Sequence, residues 1–212
     1  MCGIVGYIGK KPVYDILING LKKLEYRGYD SSGIMIYNQK ALVRKAKGKV
    51  SDLEKLFVNS ADKQGHLGIG HTRWATHGPP NQINSHPHTS NSGEITLVHN
   101  GIIENYDSIK KILTQKGYVF HSDTDSEVSV NLIEDIKKTK NVKLGKAVYF
   151  ALKQVVGAYA IVVFDSKNPK EIVGARLGSP LAIGVGNSEY YFGSDATPFL
   201  EFTKRCIYLN DN

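Results

Sequence analysis

The sequence has little cysteine. Cys2 and Cys206 are the only two in 212 residues, which rules out a disulfide framework and fits a reducing compartment. No apolar run is long enough to cross a bilayer, and the one near the N-terminus is too short for a signal peptide. A cytoplasmic location and no membrane partner are expected. Zinc-finger and RNA-binding motifs are also missing. The formal charge of +7 comes from lysines scattered among acidic residues, as in "LKKLEYRG". That is the pattern of a solvated surface and predicts no nucleic-acid partner. Of seven histidines, only His86 and His88 are closely spaced, and no cysteine or carboxylate cluster accompanies them. No metal site is expected. The chain contains no internal linker, repeat or low-complexity tract. It stops just past a strand pattern, which leads us to expect a longer parent protein.

What is present is alternating helix and strand signal, with 41% hydrophobic residues for a sizeable core. "CGIVGYI" reads as a strand and "VYDILINGLKKLE" as a helix, with Val13, Ile16, Leu17, Leu21 and Leu24 on one face. "GIMIY" and "ALVRKA" read as a strand pair across residues 38–40. Ser51 and Glu54 form a capping-box pattern for a short helix. "LGIGH" and "ITLVHN" are strands separated by a long polar loop. "NYDSIKKILTQK" is a helix closed by Gly117, and "SEVSVNLIEDIKK" is a helix with Val128, Leu132, Ile133 and Ile136 on one side. "LGKAVYFALKQVV" is a helix expected to run up to Gly157. Closely spaced strands follow ("AYAIVVF", "EIVGAR", "LAIGV", "EYYFG", "CIYL") and predict antiparallel hairpins and meanders. The class is α+β, one domain over residues 1–212, with helices covering sheet faces.

Three glycine-containing polar stretches at strand or helix ends carry the chemistry: "EYRGYDSSG", "GHTRWATHG" and "VHNGIIEN". Cys2 stands one residue from the chain end. If Met1 is removed, Cys2 bears a free α-amine, which titrates near ~7.7–8.0 and can accept the thiol proton. The alternative is a small buried residue that begins a strand. Asn100 and Gly101 could supply side-chain and backbone donors to an oxyanion, or could simply be a hairpin turn. Arg73 can clamp a carboxylate with two parallel bonds, and Asp125 can hold an ammonium. Together they match the two charged ends of a free amino acid. Helix capping is the competing reading of "SDTDSE"; it accounts for Asp123 and leaves Asp125 open. Trp74, the only tryptophan, suits either the core or a lid over a small ligand.

Taken in order, "MCGIVGYIG", "LEYRGYDSSG", "HTRWATHG", "HPH", "VHNGIIEN" and "SDTDSE" resemble the N-terminal glutaminase (class II glutamine amidotransferase) domains of the glutamine–fructose-6-phosphate aminotransferases (isomerizing), the glucosamine-6-phosphate synthases. The resemblance covers nearly the whole chain. It implies an N-terminal-nucleophile fold, a four-layer αββα sandwich with mainly antiparallel sheets. It also implies hydrolysis of L-glutamine to glutamate and ammonia through a γ-glutamyl thioester. Cys2 would be the nucleophile and its α-amine the base, with Arg27 organising it and Asn100 and Gly101 as oxyanion donors. Arg73, Asp125, Thr76 and His77 would form the glutamine pocket, and Trp74 would belong to a closing loop. No metal or organic cofactor is implied. The implied partners are glutamine and a C-terminal sugar-phosphate isomerase domain, absent from this chain, in a full-length homo-oligomer that makes glucosamine 6-phosphate.

Overall fold

The computed structural model describes residues 2–74 and 78–211. Thr76 and His77, two of the expected pocket residues, lie outside that range.

Two antiparallel sheets stack face to face. The larger has seven strands: β1 (Gly3–Ile8), β2 (Ser31–Asn38), β3 (Lys40–Lys47), β4 (Leu67–Arg73), β9 (Ala182–Val185), β10 (Tyr190–Gly193) and β11 (Cys206–Tyr208). Their order is β11-β9-β10-β1-β4-β2-β3. The smaller sheet has the order β5-β6-β7-β8, from β5 (His88–Thr89), β6 (Ile95–Ile103), β7 (Gly157–Asp165) and β8 (Ile172–Leu177). Helices α1 (Val13–Lys23) and α2 (Val50–Glu54) cover the outer face of the first sheet. Helices α3 (Tyr106–Gln115), α4 (Asp125–Lys140) and α5 (Leu144–Leu152) cover the outer face of the second. This is the four-layer αββα sandwich that the resemblance implies.

The period-two alternation of strand side chains assigns residues to layers. Along β1, Val5 and Tyr7 pack with Leu17 and Leu21 of α1, while Ile4 faces the second sheet. Along β7, Tyr159, Ile161 and Val163 face α4 and α5, and Ala160, Val162 and Phe164 face the first sheet. Both sheets are therefore apolar on both faces, as a four-layer stack requires. Each fully buried Leu or Ile contributes about 1.5–3 kcal/mol.

The expected apolar faces of α1 and α4 are buried as read, and Gly117 ends α3 with φ +90°. Some expectations change. The pattern at Ser51 and Glu54 does not cap α2. Instead Asp52 accepts the Lys49 N–H at 3.2 Å, and Glu25 accepts the Val50 N–H at 2.7 Å. The N-cap of α4 is Thr124, whose hydroxyl accepts the Glu127 N–H at 3.3 Å. Asp123 instead accepts from Asn84 Nδ2 at 3.1 Å. Helix α5 stops at Leu152, five residues short of Gly157, and Gly157 instead opens β7 with φ +125°. The strand-rich tail pairs antiparallel as read, but it divides between the two sheets. β7 and β8 form a hairpin in one sheet; the chain then crosses, and β9, β10 and β11 build the other. Asn100 and Gly101 are not a turn either; they lie inside β6, paired with Ala160 and Tyr159.

Candidate active site

The sheet order explains how the chain end becomes a site. β1 is a central strand, held by β10 on one side and β4 on the other. Cys2 is the residue just before it, so the thiol sits at the rim of the stack. β4 brings Arg73 and Trp74 alongside. Trp74 holds the sulfur with its backbone: its N–H donates to Cys2 Sγ at 3.3 Å, and the thiol donates to its carbonyl at 3.5 Å. Gly28, from the "YRGYD" stretch, presses on that backbone. A Cβ there would lie 2.8 Å from Arg73 C and from Trp74 N, so only glycine fits. The indole is 46% exposed and meets Tyr29 edge-on at 5.7 Å, which excludes the core role for Trp74.

The main chain of Cys2 is held from two directions. Arg27 Nε donates to Cys2 O at 3.2 Å while its Nη1 pairs with Asp195 at 3.2 Å. Asn100 Nδ2 donates to the same oxygen at 3.1 Å and to Ser194 Oγ at 2.9 Å. Ser194 Oγ also accepts the Ile4 N–H at 2.7 Å, which ties the start of β1 to Asn100.

Burial pushes the Cys2 thiol above its ordinary value. The Trp74 N–H and the Arg73 charge pull it down, and Asp30 adds to the rise. A thiol so placed is protonated near neutral pH and needs a base to become a nucleophile.

Arg73 and Asp125 converge on the same cleft as Cys2, Trp74 and Gly101, together with His86, His99, Thr124 and Ser126. They are 4% and 5% exposed. Asp125 accepts the Ile103 N–H at 2.7 Å, so one carboxylate oxygen is fixed by the end of β6. Burial lowers the Arg73 guanidinium from its ordinary value, opposed by Cys2, Asp125 and Asp30.

Four buried histidines gather at the cleft: His86 and His99 line it, and His71 and His88 pack against His86. The His71 ring lies tilted against that of His86 at 4.1 Å, and His86 meets His88 edge-on at 4.7 Å. His86 Nε2 and His99 Nδ1 both bond Ser126 Oγ, at 2.8 and 2.9 Å, and His88 Nε2 bonds Thr124 Oγ1 at 3.0 Å. The "HPH" pair thus anchors the first turn of α4, the turn that carries Asp125. Among the described residues no three His, Cys, Asp or Glu side chains are grouped to hold a metal ion.

Of the nine site residues anticipated from sequence, seven are described, and all seven meet here. Gly101 has φ +126°, and a Cβ on it would stand 2.0 Å from Ala158 O. The Gly101→Ala variant is therefore expected to force the β6–β7 ladder apart beside Cys2. A fall in thermal midpoint of several degrees would show it, and an unchanged midpoint would refute it. Ser194, Asp195, His71 and Ser126 escaped sequence reading. His71 lies in "GHTRWATHG" and Ser126 in "SDTDSE", where each reads as an ordinary polar residue, while Ser194 and Asp195 follow the strand pattern "EYYFG" and are some 190 residues from Cys2 in sequence.

Residues 44–212 match the family model described as a glutamine amidotransferase domain. Over its full length the chain is 56% identical to a glutamine–fructose-6-phosphate aminotransferase [isomerizing] of Bacteroides thetaiotaomicron and covers 34% of that protein. It is 47% identical to the one from Pyrococcus horikoshii, covering 35% of it. The chain thus spans about a third of the length of the curated relatives it matches. Among solved structures, it superposes on the glutamine phosphoribosylpyrophosphate amidotransferase of B. subtilis with a TM-score of 0.81 and 27% identity, over 98% of this chain and 44% of that one.

Proposed function

The chain belongs to the glutamine amidotransferase domain family, and from that premise we propose that it hydrolyses L-glutamine to glutamate and ammonia through a thioester on Cys2. The observation that carries this reading is the placement of a near-terminal thiol, an arginine and an aspartate in one cleft. Arg73 would clamp the α-carboxylate of glutamine and Asp125 its α-ammonium, leaving the side-chain amide to reach Cys2 Sγ.

The steps then balance as follows. Once Met1 is gone, the neutral α-amine of Cys2 takes the thiol proton, and the sulfur attacks the amide carbon. The tetrahedral oxyanion meets Asn100 Nδ2 and the Gly101 N–H. The amine returns the proton to the leaving nitrogen, and ammonia departs. Water, deprotonated by the same amine, then attacks the thioester and frees glutamate. Arg27, braced by Asp195, holds the Cys2 main chain still through both attacks.

In a longer protein carrying a sugar-phosphate domain, the ammonia would convert fructose 6-phosphate to glucosamine 6-phosphate; the relatives are named glutamine–fructose-6-phosphate aminotransferases [isomerizing]. The chain by itself should release glutamate and form no amino sugar.

The reading is tested by the substrate's charged end. Asp125→Asn should raise KM for glutamine by roughly 10²-fold with a smaller effect on kcat, because a buried pairing charge is lost. γ-Carboxamides without an α-ammonium should not be hydrolysed. An unchanged KM, or turnover of such amides at the glutamine rate, would remove the pocket assignment.

A further inference from the structure

The Asn100 amide must present nitrogen, not oxygen, towards Cys2 if it is to stabilise an oxyanion. An asparagine amide can rotate by half a turn at little intrinsic cost, so something must choose the face. The described structure contains a device for this. His71 is 1% exposed and belongs to β4, the strand between β1 and β2. Its Nε2 lies 3.0 Å from the His99 carbonyl oxygen and 2.9 Å from Asn100 Oδ1. A carbonyl oxygen only accepts, so Nε2 must carry the hydrogen. An N–H in that position repels an amide NH₂ and can donate only to Oδ1 on its Asn100 side. The nitrogen of Asn100 is thereby turned to Cys2 O at 3.1 Å and Ser194 Oγ at 2.9 Å.

We propose that His71 is a positioning residue for the reaction ascribed to Cys2: its Nε2–H, locked by the His99 carbonyl, fixes the Asn100 amide so that Nδ2 faces the nucleophile. This rests on the reading of Asn100 as an oxyanion donor. The imidazole need not touch glutamine or exchange a proton. It acts as a fixed neutral donor, and burial, which holds its pKa near 3, keeps it neutral. Repulsion from Arg73 adds to that effect. The neighbouring His86 ring, tilted against that of His71 with centroids 4.1 Å apart, limits rotation of His71 about its own axis.

The chain length of the donor provides the test. In glutamine the amide nitrogen is as many bonds from Cα as Nε2 is in histidine. In asparagine it matches Nδ1 instead. In protein freed of Met1, His71→Gln should keep kcat within about fivefold of the parent, whereas His71→Asn and His71→Leu should lower it by about 10²-fold, the scale of one oxyanion donor. KM for glutamine should stay within about threefold in all three, since Arg73 and Asp125 are untouched. In an Asn100→Ala background, His71→Asn should cost less than about threefold further, because its target is gone.

A glutamine variant as poor as the asparagine variant overturns the proposal. So does a loss that is the same with and without Asn100, or one that appears in KM alone. If Asn100→Ala by itself leaves kcat unchanged, the oxyanion reading of Asn100 falls first and the role of His71 falls with it. If Asn100→Ala is costly but the two losses simply multiply, only the role of His71 is lost. Should the leucine variant fail to fold, the glutamine and asparagine pair decides, since both keep a polar amide at the site.

Discussion

A Cys2→Ala chain freed of Met1 is expected to release no glutamate from glutamine above background, a loss on the order of 10⁴-fold or more. Removing a nucleophile takes away the covalent path, whereas removing a helper leaves the rest of the machinery working. Retaining Met1 should be as damaging for a different reason. The nitrogen of Cys2 is then an amide, whose lone pair is delocalised into the carbonyl and cannot take the thiol proton. Burial has already raised the thiol, so few molecules carry a thiolate near neutral pH. The same protein before and after treatment with a methionine aminopeptidase should go from inactive to active. In the processed form kcat/KM should rise with pH through the range of an α-amine, ~7.7–8.0, because only the neutral amine serves as base. The glutamine-like electrophile 6-diazo-5-oxo-norleucine should label Cys2 and spare Cys206. Full turnover with Met1 attached, or undiminished turnover in the alanine variant, would end the nucleophile assignment.

The second large effect is on stability in acid. His71, His86 and His88 are buried, and burial holds all three below the ordinary histidine range, His71 to about 3. Arg73 repels a proton on each, and Lys45 repels one on His88. In the unfolded chain the three titrate near ~6.5. The folded state therefore binds fewer protons than the unfolded state at pH values below ~6.5. Stability is fully present above that value and is lost as pH falls towards the folded pKa. Each imidazole contributes a slope of about 1.4 kcal/mol per pH unit, so the three together give about 4. Against a typical total of ~5–15 kcal/mol, the fold should fail within a few pH units of neutrality. Urea midpoints measured between pH 7.5 and 4.5 should fall steeply below pH 6.5. His88→Gln should remove about a third of the slope. A flat stability profile from pH 7 to pH 5 would contradict the buried neutral cluster. The depressed carboxylates, Glu189 held by Lys11 and Tyr7, and Asp195 held by Thr197, Tyr26 and Arg27, lose their contribution only at lower pH, below the ordinary carboxylate range.

Cys2, Arg73 and Asp125 were legible because each belongs to a short stretch whose local pattern already violates a bland reading. A thiol one residue from the end, an arginine beside a lone tryptophan, and an acid at a helix start left over after capping all stand out in one dimension. His71 and Ser194 do not. His71 reads as one polar residue in a buried strand, and its meaning comes from a carbonyl and an amide 28 and 29 residues away. Ser194 follows a strand that pairs with β1 across the whole length of the chain. The "NG" dipeptide shows the reverse case: its local signal pointed to a turn, and the ladder with Ala160 and Tyr159 overrode it.

By itself, the sequence determined the kinds of element, the apolar faces of α1 and α4, the α+β class and the residues able to do chemistry. Those depend on periodicity and side-chain type, which are local properties. Only the tertiary structure decided that β1 lies between β4 and β10, that the tail divides between two sheets, and that four buried histidines gather at the cleft. Those depend on which distant strands pair. Pairing is set by the burial of both sheet faces at once, a condition no single stretch of the chain can express.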